Sequence, residues 1–107
     1  MPNTSEPMTE AMYYILLALY SPNHGYAIMQ EIEKISGGRV KMGPGTLYGV
    51  LTRLVKNGLI EMVDSDSRRK IYKITPEGEA VLKAEFERLE KMVSDGKGIL
   101  NDKGQPL

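Results

Sequence analysis

The feature that most constrains the fold is a helix with clear ends in the middle of the chain. Pro44 suits its first turn, where a missing N–H costs nothing, and Asn57-Gly58-Leu59 has the form of a Schellman ending with Gly58 in the left-handed conformation. One apolar stripe recurs between these ends at helical spacing: Leu47, Val50, Leu51 and Leu54. This segment predicts a third helix, from which the flanking elements can be assigned.

Cap and turn signals predict two helices before this segment, and a hairpin and a fourth helix after it. In order, the predicted elements are a helix capped by Thr9 that runs to about Tyr20, a helix from His24-Gly25 to Gly37-Gly38 with Ile28, Met29, Ile32 and Ile35 on its inner side, the third helix, strands over Leu59–Val63 and Arg69–Ile74, and a helix from Thr75-Pro76-Glu77 to about Asp95. This order predicts a mainly α fold with a small β-hairpin (α+β), a winged helix-turn-helix with one additional C-terminal helix.

The same pattern predicts the domain organisation. We expect a flexible arm over residues 1–8, the winged domain over 9–76, a dimerisation helix over 77–95 and a flexible tail over 96–107. With 107 residues the chain is large enough for one core, but not for a separate catalytic domain.

Composition argues against several classes of function. The sequence has no cysteine and a single histidine, His24, which we expect to help cap the second helix. Because neither a catalytic triad nor a metal cluster nor a phosphate-binding loop accompanies it, we expect no enzyme, no metal and no cofactor. No signal peptide is apparent, and the longest apolar stretch, Ile15–Leu19, is too short to span a bilayer. We therefore expect a cytoplasmic protein without membrane contact.

Charge is unevenly distributed along a chain whose formal net charge is zero. The segment from Arg39 to Lys73 has eight basic and three acidic residues, whereas Glu77–Asp95 has six acids and three bases. A basic middle followed by an acidic helix is expected when one surface meets phosphate, although a solvated charged surface explains it equally well.

The outward surface of the third helix favours contact with DNA. With the apolar stripe facing the core, this surface has short polar groups, a phenol and two cations, but no carboxylate. Gly49 is informative because a glycine inside a helix costs about 1 kcal/mol, which close approach of DNA would offset. Tight helix packing is the alternative. Tyr48 could bind a phosphate or lie half-buried beside Tyr26, and Arg53 and Lys56 suit phosphates better than bases.

The predicted wing holds three adjacent cations, Arg68, Arg69 and Lys70, of which at most two can face one DNA strand. Asp64 and Asp66 would keep the tip itself away from phosphate. A charged hairpin that only maintains solubility is the alternative.

The fourth helix has a heptad-like apolar stripe on an otherwise charged surface. It could pack within its own domain, but its length favours a homodimer together with the first helix. The predicted interface residues are Met12, Leu16, Leu82, Phe86, Leu89 and Val93. A two-fold dimer predicts a pseudo-palindromic DNA site.

Five segments together resemble the PadR family of transcriptional regulators: His24–Tyr26, Gly43–Tyr48, Leu51–Leu54, Gly58–Ile60 and Arg69–Gly78. The resemblance, to a short-form member, covers about residues 9–93. It implies a homodimer that represses transcription, often of its own gene, a transporter or a detoxification gene, and is released by a small effector. Some members bind flat aromatic drugs between tryptophans at the dimer interface, a mode that this sequence, without tryptophan, does not support.

The resemblance also implies that Tyr26, Tyr48 and the third helix contact double-stranded DNA while the wing lies against the neighbouring groove. A winged-helix module for protein contacts, without specific DNA binding, remains the alternative. The full set of predicted DNA-binding residues is Tyr26, Lys41, Gly45, Thr46, Tyr48, Gly49, Thr52, Arg53, Lys56, Arg68, Arg69 and Lys70.

Overall fold

The structure, a computed structural model, describes residues 8–65 and 69–102, without the side chains of Ser65 and Asp102. Its elements are α1 (Glu10–Ala18), β1 (Asn23–His24), α2 (Gly25–Ile35), α3 (Pro44–Lys56), β2 (Ile60–Ser65), β3 (Lys70–Ile74) and α4 (Pro76–Asp102). The predicted fold class, a winged helix-turn-helix with an additional C-terminal helix, is confirmed. The predicted arm lies outside the described residues except for Met8.

The predicted helix starts hold, with one difference in how they are capped. The Thr9 hydroxyl accepts a hydrogen bond from the Met12 amide at 3.1 Å, as an N-cap side chain should. His24 occupies the N-cap position of α2 but makes no side-chain cap hydrogen bond. The Asn23 side chain instead accepts from the His24 amide at 3.0 Å, so the expected capping role of the histidine is wrong.

The end of α3 is the predicted Schellman motif. Gly58 has a φ of 78°, its amide donates to the Val55 carbonyl at 3.0 Å, and the Leu59 amide donates to the Leu54 carbonyl at 3.0 Å. Both bonds satisfy carbonyls that the helix leaves without partners. The motif turns the chain directly into β2, which fixes the wing relative to α3.

The sheet has three strands in the order β1-β3-β2, one more than the sequence predicted. The additional strand, β1, pairs Asn23 with Tyr72 and His24 with Ile71. Two residues are too short for a periodic pattern, which is why the sequence predicts no strand between the first two helices. The β2–β3 ladder is irregular between Met62 and Asp64, where Val63 is an extra residue of the bulge type.

One core joins the three N-terminal helices, the sheet and the start of α4. Its fully enclosed side chains include the α3 stripe residues Leu47, Leu51 and Leu54, while Val50 is only partly buried. Ile35, predicted on the inner side of α2, is 44% exposed at the end of that helix. The core therefore holds three of the four predicted α3 residues on the side opposite to the predicted DNA surface.

The start of α4 is joined tightly to the end of α3. The Thr75 hydroxyl donates to the Gly58 carbonyl at 2.7 Å and accepts from the Gly78 amide at 3.0 Å, so it caps α4 as predicted. The Thr75 amide donates to the Leu59 carbonyl at 3.0 Å. A Cβ on Gly78 would overlap that carbonyl, so only glycine permits this approach. We refer to these four residues as the α3–α4 joint.

The fourth helix is longer than predicted. It continues through Gly96 and Gly98 to Asp102, where the sequence analysis expected a tail from Gly96. Glycine lowers helix propensity but does not stop a helix that is already propagating, and neither glycine has a positive φ. The assignment of residues 96–102 to a flexible tail is therefore wrong; residues 103–107 lie outside the described part.

Candidate nucleic-acid interface

The outward surface of α3 is open to solvent along its whole length. Because Leu47, Leu51 and Leu54 face the core, the opposite side of the helix is left uncovered. The predicted DNA-binding residues of α3 are all exposed: Gly45, Thr46, Tyr48, Gly49, Thr52, Arg53 and Lys56. We refer to these seven residues as the α3 surface. None of them carries a negative charge, so nothing on this surface repels phosphate.

Gly49 lies at an open position in the middle of α3. A Cβ built on it would meet no atom within 4 Å. Packing against another part of the same chain therefore does not explain the glycine at this position. This excludes tight helix packing within the chain, the alternative to close approach of DNA. The free space above Gly49 suits a partner that comes close to the helix backbone.

Tyr48 has features of both roles that the sequence allowed, a phosphate contact and a half-buried ring. Its side chain is half-buried, with the residue 49% exposed, and its ring lies against Gly25, the first residue of α2. Burial and the neighbouring Tyr48 both raise the pKa of Tyr72, which places Tyr48 near β3 as well. The exposed half leaves Tyr48 available to a ligand, while the other half contacts its own domain.

The remaining polar groups of α3 follow the expected order along the helix. Thr46 lies in the first turns, whereas Arg53 and Lys56 lie in the last turn. The Thr52 hydroxyl donates to the Tyr48 carbonyl at 2.9 Å, and a hydroxyl so engaged still has lone pairs that can accept. Short groups near the N-terminus and cations near the C-terminus are arranged as a major-groove helix requires.

Two further predicted residues lie on the elements before α3. Tyr26, in the first turn of α2, is 64% exposed, and Lys41, between α2 and α3, is also exposed. Tyr26 follows Gly25 directly, so its side chain begins near the place where the far end of the Tyr48 ring lies against α2.

Two of the three predicted wing cations lie within the described residues. Arg69 and Lys70 are exposed, and Lys70 opens β3 opposite Ser65. Arg68 and Asp66 lie outside the described residues, so their predicted roles stay predictions. Asp64 is exposed on β2, near the base of the tip.

Arg39, which the charge count placed in the basic segment, points elsewhere. Its guanidinium donates to the Tyr14 hydroxyl at 2.5 Å, lies 5.8 Å from the centre of the Tyr14 ring and is 3.6 Å from a Glu10 carboxylate oxygen. These contacts connect the α2–α3 loop to α1. Arg39 is therefore a structural cation, and the net charge of the segment overstates what is available to phosphate.

The predicted dimer residues divide into two groups. Leu16 and Leu82 are buried in the core of the single chain, so they offer no surface to a partner and their predicted interface role is wrong. Met12 and Leu89 are half-buried, while Phe86 is 47% and Val93 is 58% exposed. The α4 stripe contains both kinds of residue because its first member, Leu82, packs into the chain's own core, whereas Phe86 and Val93 do not.

A groove between α1 and α4 runs along the exposed group, with a volume of about 370 Å³. It is lined by Tyr13, Phe86, Leu89, Glu90, Val93, Ser94 and Lys97. Burial, reinforced by Tyr14, Glu85 and Glu90, raises the pKa of Tyr13. Beyond the groove the apolar surface continues with Met92, Ile99 and Leu100, of which the last two were missed because the predicted helix ended at Asp95.

Other kinds of site find little support in the described part of the chain. Residues 8–65 and 69–102 hold no group of three or more His, Cys, Asp or Glu that could bind a metal ion. Within the same ranges no helix has the length and apolar character needed to cross a membrane.

Fold and surface together define a winged helix-turn-helix protein with an exposed, carboxylate-free third helix. The model of the transcriptional regulator PadR-like family matches residues 15–84, which include α2, α3, the wing and the start of α4. The chain belongs to this family of transcriptional regulators.

Individual relatives agree with this assignment. The chain is similar to the transcriptional regulator Rv3488 of Mycobacterium tuberculosis, with 38% identity over 76 residues that cover 67% of each sequence. Alignments to three curated relatives cover 24%, 64% and 67% of those proteins' own lengths.

Solved structures show the same architecture. A transcriptional regulator from Clostridium thermocellum superimposes with a TM-score of 0.69 at 28% identity, covering 87% of this chain and 90% of that one. Bacillus subtilis PadR, solved in complex with operator DNA, superimposes with a TM-score of 0.64 at 23% identity, covering 76% of this chain and 48% of that one. The comparison with Bacillus subtilis PadR therefore shows a shared fold.

Proposed function

We propose that this chain is a sequence-specific DNA-binding regulator that acts as a homodimer, with α3 in the major groove and the wing beside it. The observation that carries the proposal is the α3 surface, which is exposed and free of carboxylates from Gly45 to Lys56. Membership of the PadR-like family makes double-stranded DNA the expected ligand. Bacillus subtilis PadR, with a similar fold, was solved bound to operator DNA.

The shape of the α3 surface supports reading of base edges. Gly45, Thr46 and Gly49 are small, so the first half of the helix can come close to the floor of a groove. Arg53 and Lys56 follow in the last turn, where they reach the phosphate backbone. Base contacts early in the helix and phosphate contacts late in it would give both register and affinity.

The exposed apolar side of α4 supports the homodimer. Phe86, Leu89, Val93 and Leu100 fit one heptad register and form an apolar seam along the helix, with Gly96 at the position between the last two. Helices that bury such a seam against a second copy remove apolar surface from water. Two copies would present two α3 helices to a pseudo-palindromic site.

Repression with release by a small effector is the mode of regulation that the family resemblance supports. The test is a reporter gene controlled by the DNA that lies upstream of the gene for this chain. Its expression should rise when the gene for the chain is deleted. Equal or lower expression after deletion would contradict repression.

A salt titration of DNA binding tests the interface. Log K for the chain's own upstream DNA should fall linearly with log salt, because phosphate contacts release counterions. Lys56→Ala should make the slope shallower by almost 2, since a dimer loses two contacts of about 0.9 each. Lys91→Ala, an exposed lysine of α4, is the matched control and should leave the slope unchanged.

Two results would contradict the proposed DNA binding. One is equal affinity for the upstream DNA and a scrambled duplex together with a flat salt slope, as expected of a protein-contact module. The other is an equal change of the salt slope in the Lys56 and Lys91 variants, which would show that the change does not come from a contact of α3 with DNA.

Light-scattering mass measurements test the homodimer separately. Val93→Gln places a polar group in the α4 seam and should shift the protein towards monomer. Lys91→Gln installs the same residue on the opposite side of α4 and should leave the mass unchanged. A parent protein that is monomeric at micromolar concentration would refute the dimer.

A further inference from the structure

Gly25 opens α2 and has no role in the interface described above. Glycine is a poor helix former, so its presence at a helical position needs a reason. Backbone conformation does not supply one: the described glycines with positive φ are Gly37, Gly38 and Gly58. Gly25 is also buried, unlike Gly49, so solvent-side approach of a ligand does not explain it.

The space above Gly25 is occupied by Tyr48. A Cβ on Gly25 would overlap the Tyr48 hydroxyl and lie 2.8 Å from Cζ and 3.0 Å from Cε1 of the ring. The ring can therefore lie against the start of α2 only because residue 25 has no side chain. This contact joins α3 to α2 at the edge of the α3 surface.

The same contact includes the wing. Gly25 follows β1 directly, and β1 pairs with β3 through Asn23 and Tyr72. Tyr48 also raises the pKa of Tyr72, after burial, so the two phenols interact electrostatically. Three elements of the proposed DNA interface thus meet around one tyrosine side chain.

We propose that Gly25 is a positioning residue of the DNA interface, acting through Tyr48; the proposal rests on the DNA binding inferred above. The absent side chain leaves a seat at the start of α2 in which the Tyr48 ring is held. The seated ring keeps its exposed half at the start of α2, the helix turn that also carries Tyr26, on the side where DNA would bind.

The effect of replacing a glycine depends on which atoms the added Cβ would overlap. At Gly25 the obstructing atoms are the far end of a flexible side chain, so Tyr48 can swing out and the fold can survive. At Gly78, by contrast, the obstruction is a backbone carbonyl that cannot move in this way. Gly25→Ala should therefore displace Tyr48 while leaving the rest of the domain in place.

A double-mutant cycle tests this mechanism: Gly25→Ala, Tyr48→Ala and the double variant, each titrated with the upstream DNA. Gly25→Ala should weaken binding by the proposed dimer about a hundredfold, because each of the two protomers loses one hydrogen bond to a charged group, worth about tenfold. In the Tyr48→Ala background the same change should have no further effect. Gly98→Ala, an open helical position in α4, controls for the general effect of alanine and should bind DNA like the parent.

Several outcomes would overturn the proposal. One is an unchanged DNA affinity of the Gly25→Ala variant. Another is a loss of DNA affinity on Gly25→Ala that is equally large in the parent and in the Tyr48→Ala variant. A parent protein that does not bind its upstream DNA would refute the proposed function and the positioning role with it, whereas a binding parent with an additive cycle refutes only the positioning role. If Gly25→Ala is too unstable to titrate, urea unfolding decides: recovery of stability by Tyr48→Ala supports the contact, and no recovery overturns it.

Discussion

Substitution of Gly49 by alanine should stabilise the fold and weaken DNA binding at the same time. Alanine is better than glycine by about 1 kcal/mol in the interior of a helix, and Gly49 lies near the middle of α3. The added methyl group would meet no atom within 4 Å, so no clash offsets this gain. For a domain of this size 1 kcal/mol raises Tm by about 4–8 °C.

The loss in DNA affinity follows from the same open space. If α3 approaches a groove closely at Gly49, the methyl group displaces base or phosphate contacts. A good contact to a base is worth about 1–3 kcal/mol, so we expect binding to weaken at least about tenfold. Opposite signs for stability and affinity separate this explanation from general damage to the fold.

Calorimetry or circular dichroism gives Tm, and a titration with the upstream DNA gives the affinity. Gly98→Ala is the matched control, since its added methyl group also meets open space. It should raise Tm, by less than Gly49→Ala because it lies close to the end of α4, and should not change DNA affinity. If Gly49→Ala binds DNA like the parent, DNA does not come close to α3 at Gly49. If Gly49→Ala has a lower Tm than the parent, the added methyl group does not lie in open space.

Three further predictions concern the joint and α4. Gly58→Ala should lower the free energy of unfolding in urea by about 1–2 kcal/mol, because alanine is strained at a positive φ; an unchanged midpoint would contradict this. Thr75→Val should cost about 1 kcal/mol of stability and Thr75→Ser almost nothing, since only valine loses the cap hydroxyl; equal losses would point to packing. The hydrogen bond from Arg88 lowers the pKa of Glu85, so this pair stabilises α4 above the usual glutamate pKa and loses its effect as pH falls through the lowered value. Glu85→Gln should flatten that part of the acid unfolding curve, and an unchanged curve would contradict it.

Local signals were sufficient for most of the fold. Pro44, Gly58 and Thr75 mark helix ends through backbone constraints that act over a few residues, and the structure places each end where these residues predict it. The α3 surface followed from the apolar stripe alone, because burying one side of a helix determines which side remains outside.

Features that depend on tertiary packing were missed or misassigned. β1 exists only because β3 lies beside it, and its two residues carry no pattern of their own. Leu82 belongs to the heptad by spacing but to the core by position, and the sequence cannot show where α4 leaves the domain. The seat of Tyr48 on Gly25 likewise depends on how α2 and α3 pack, so sequence left Tyr48 undecided between two roles.

The α3–α4 joint makes α4 a lever. With 27 residues at about 1.5 Å each, α4 is about 40 Å long, and its near end is fastened to the end of α3. When α3 and α4 rotate together by about 5° about the joint, the far end of α4 moves by about 3–4 Å. In the proposed homodimer, a molecule that spreads the two α4 helices by a few ångströms would therefore turn each α3 in its groove. Small displacements far from the DNA would thereby change the spacing and orientation of the two reading helices.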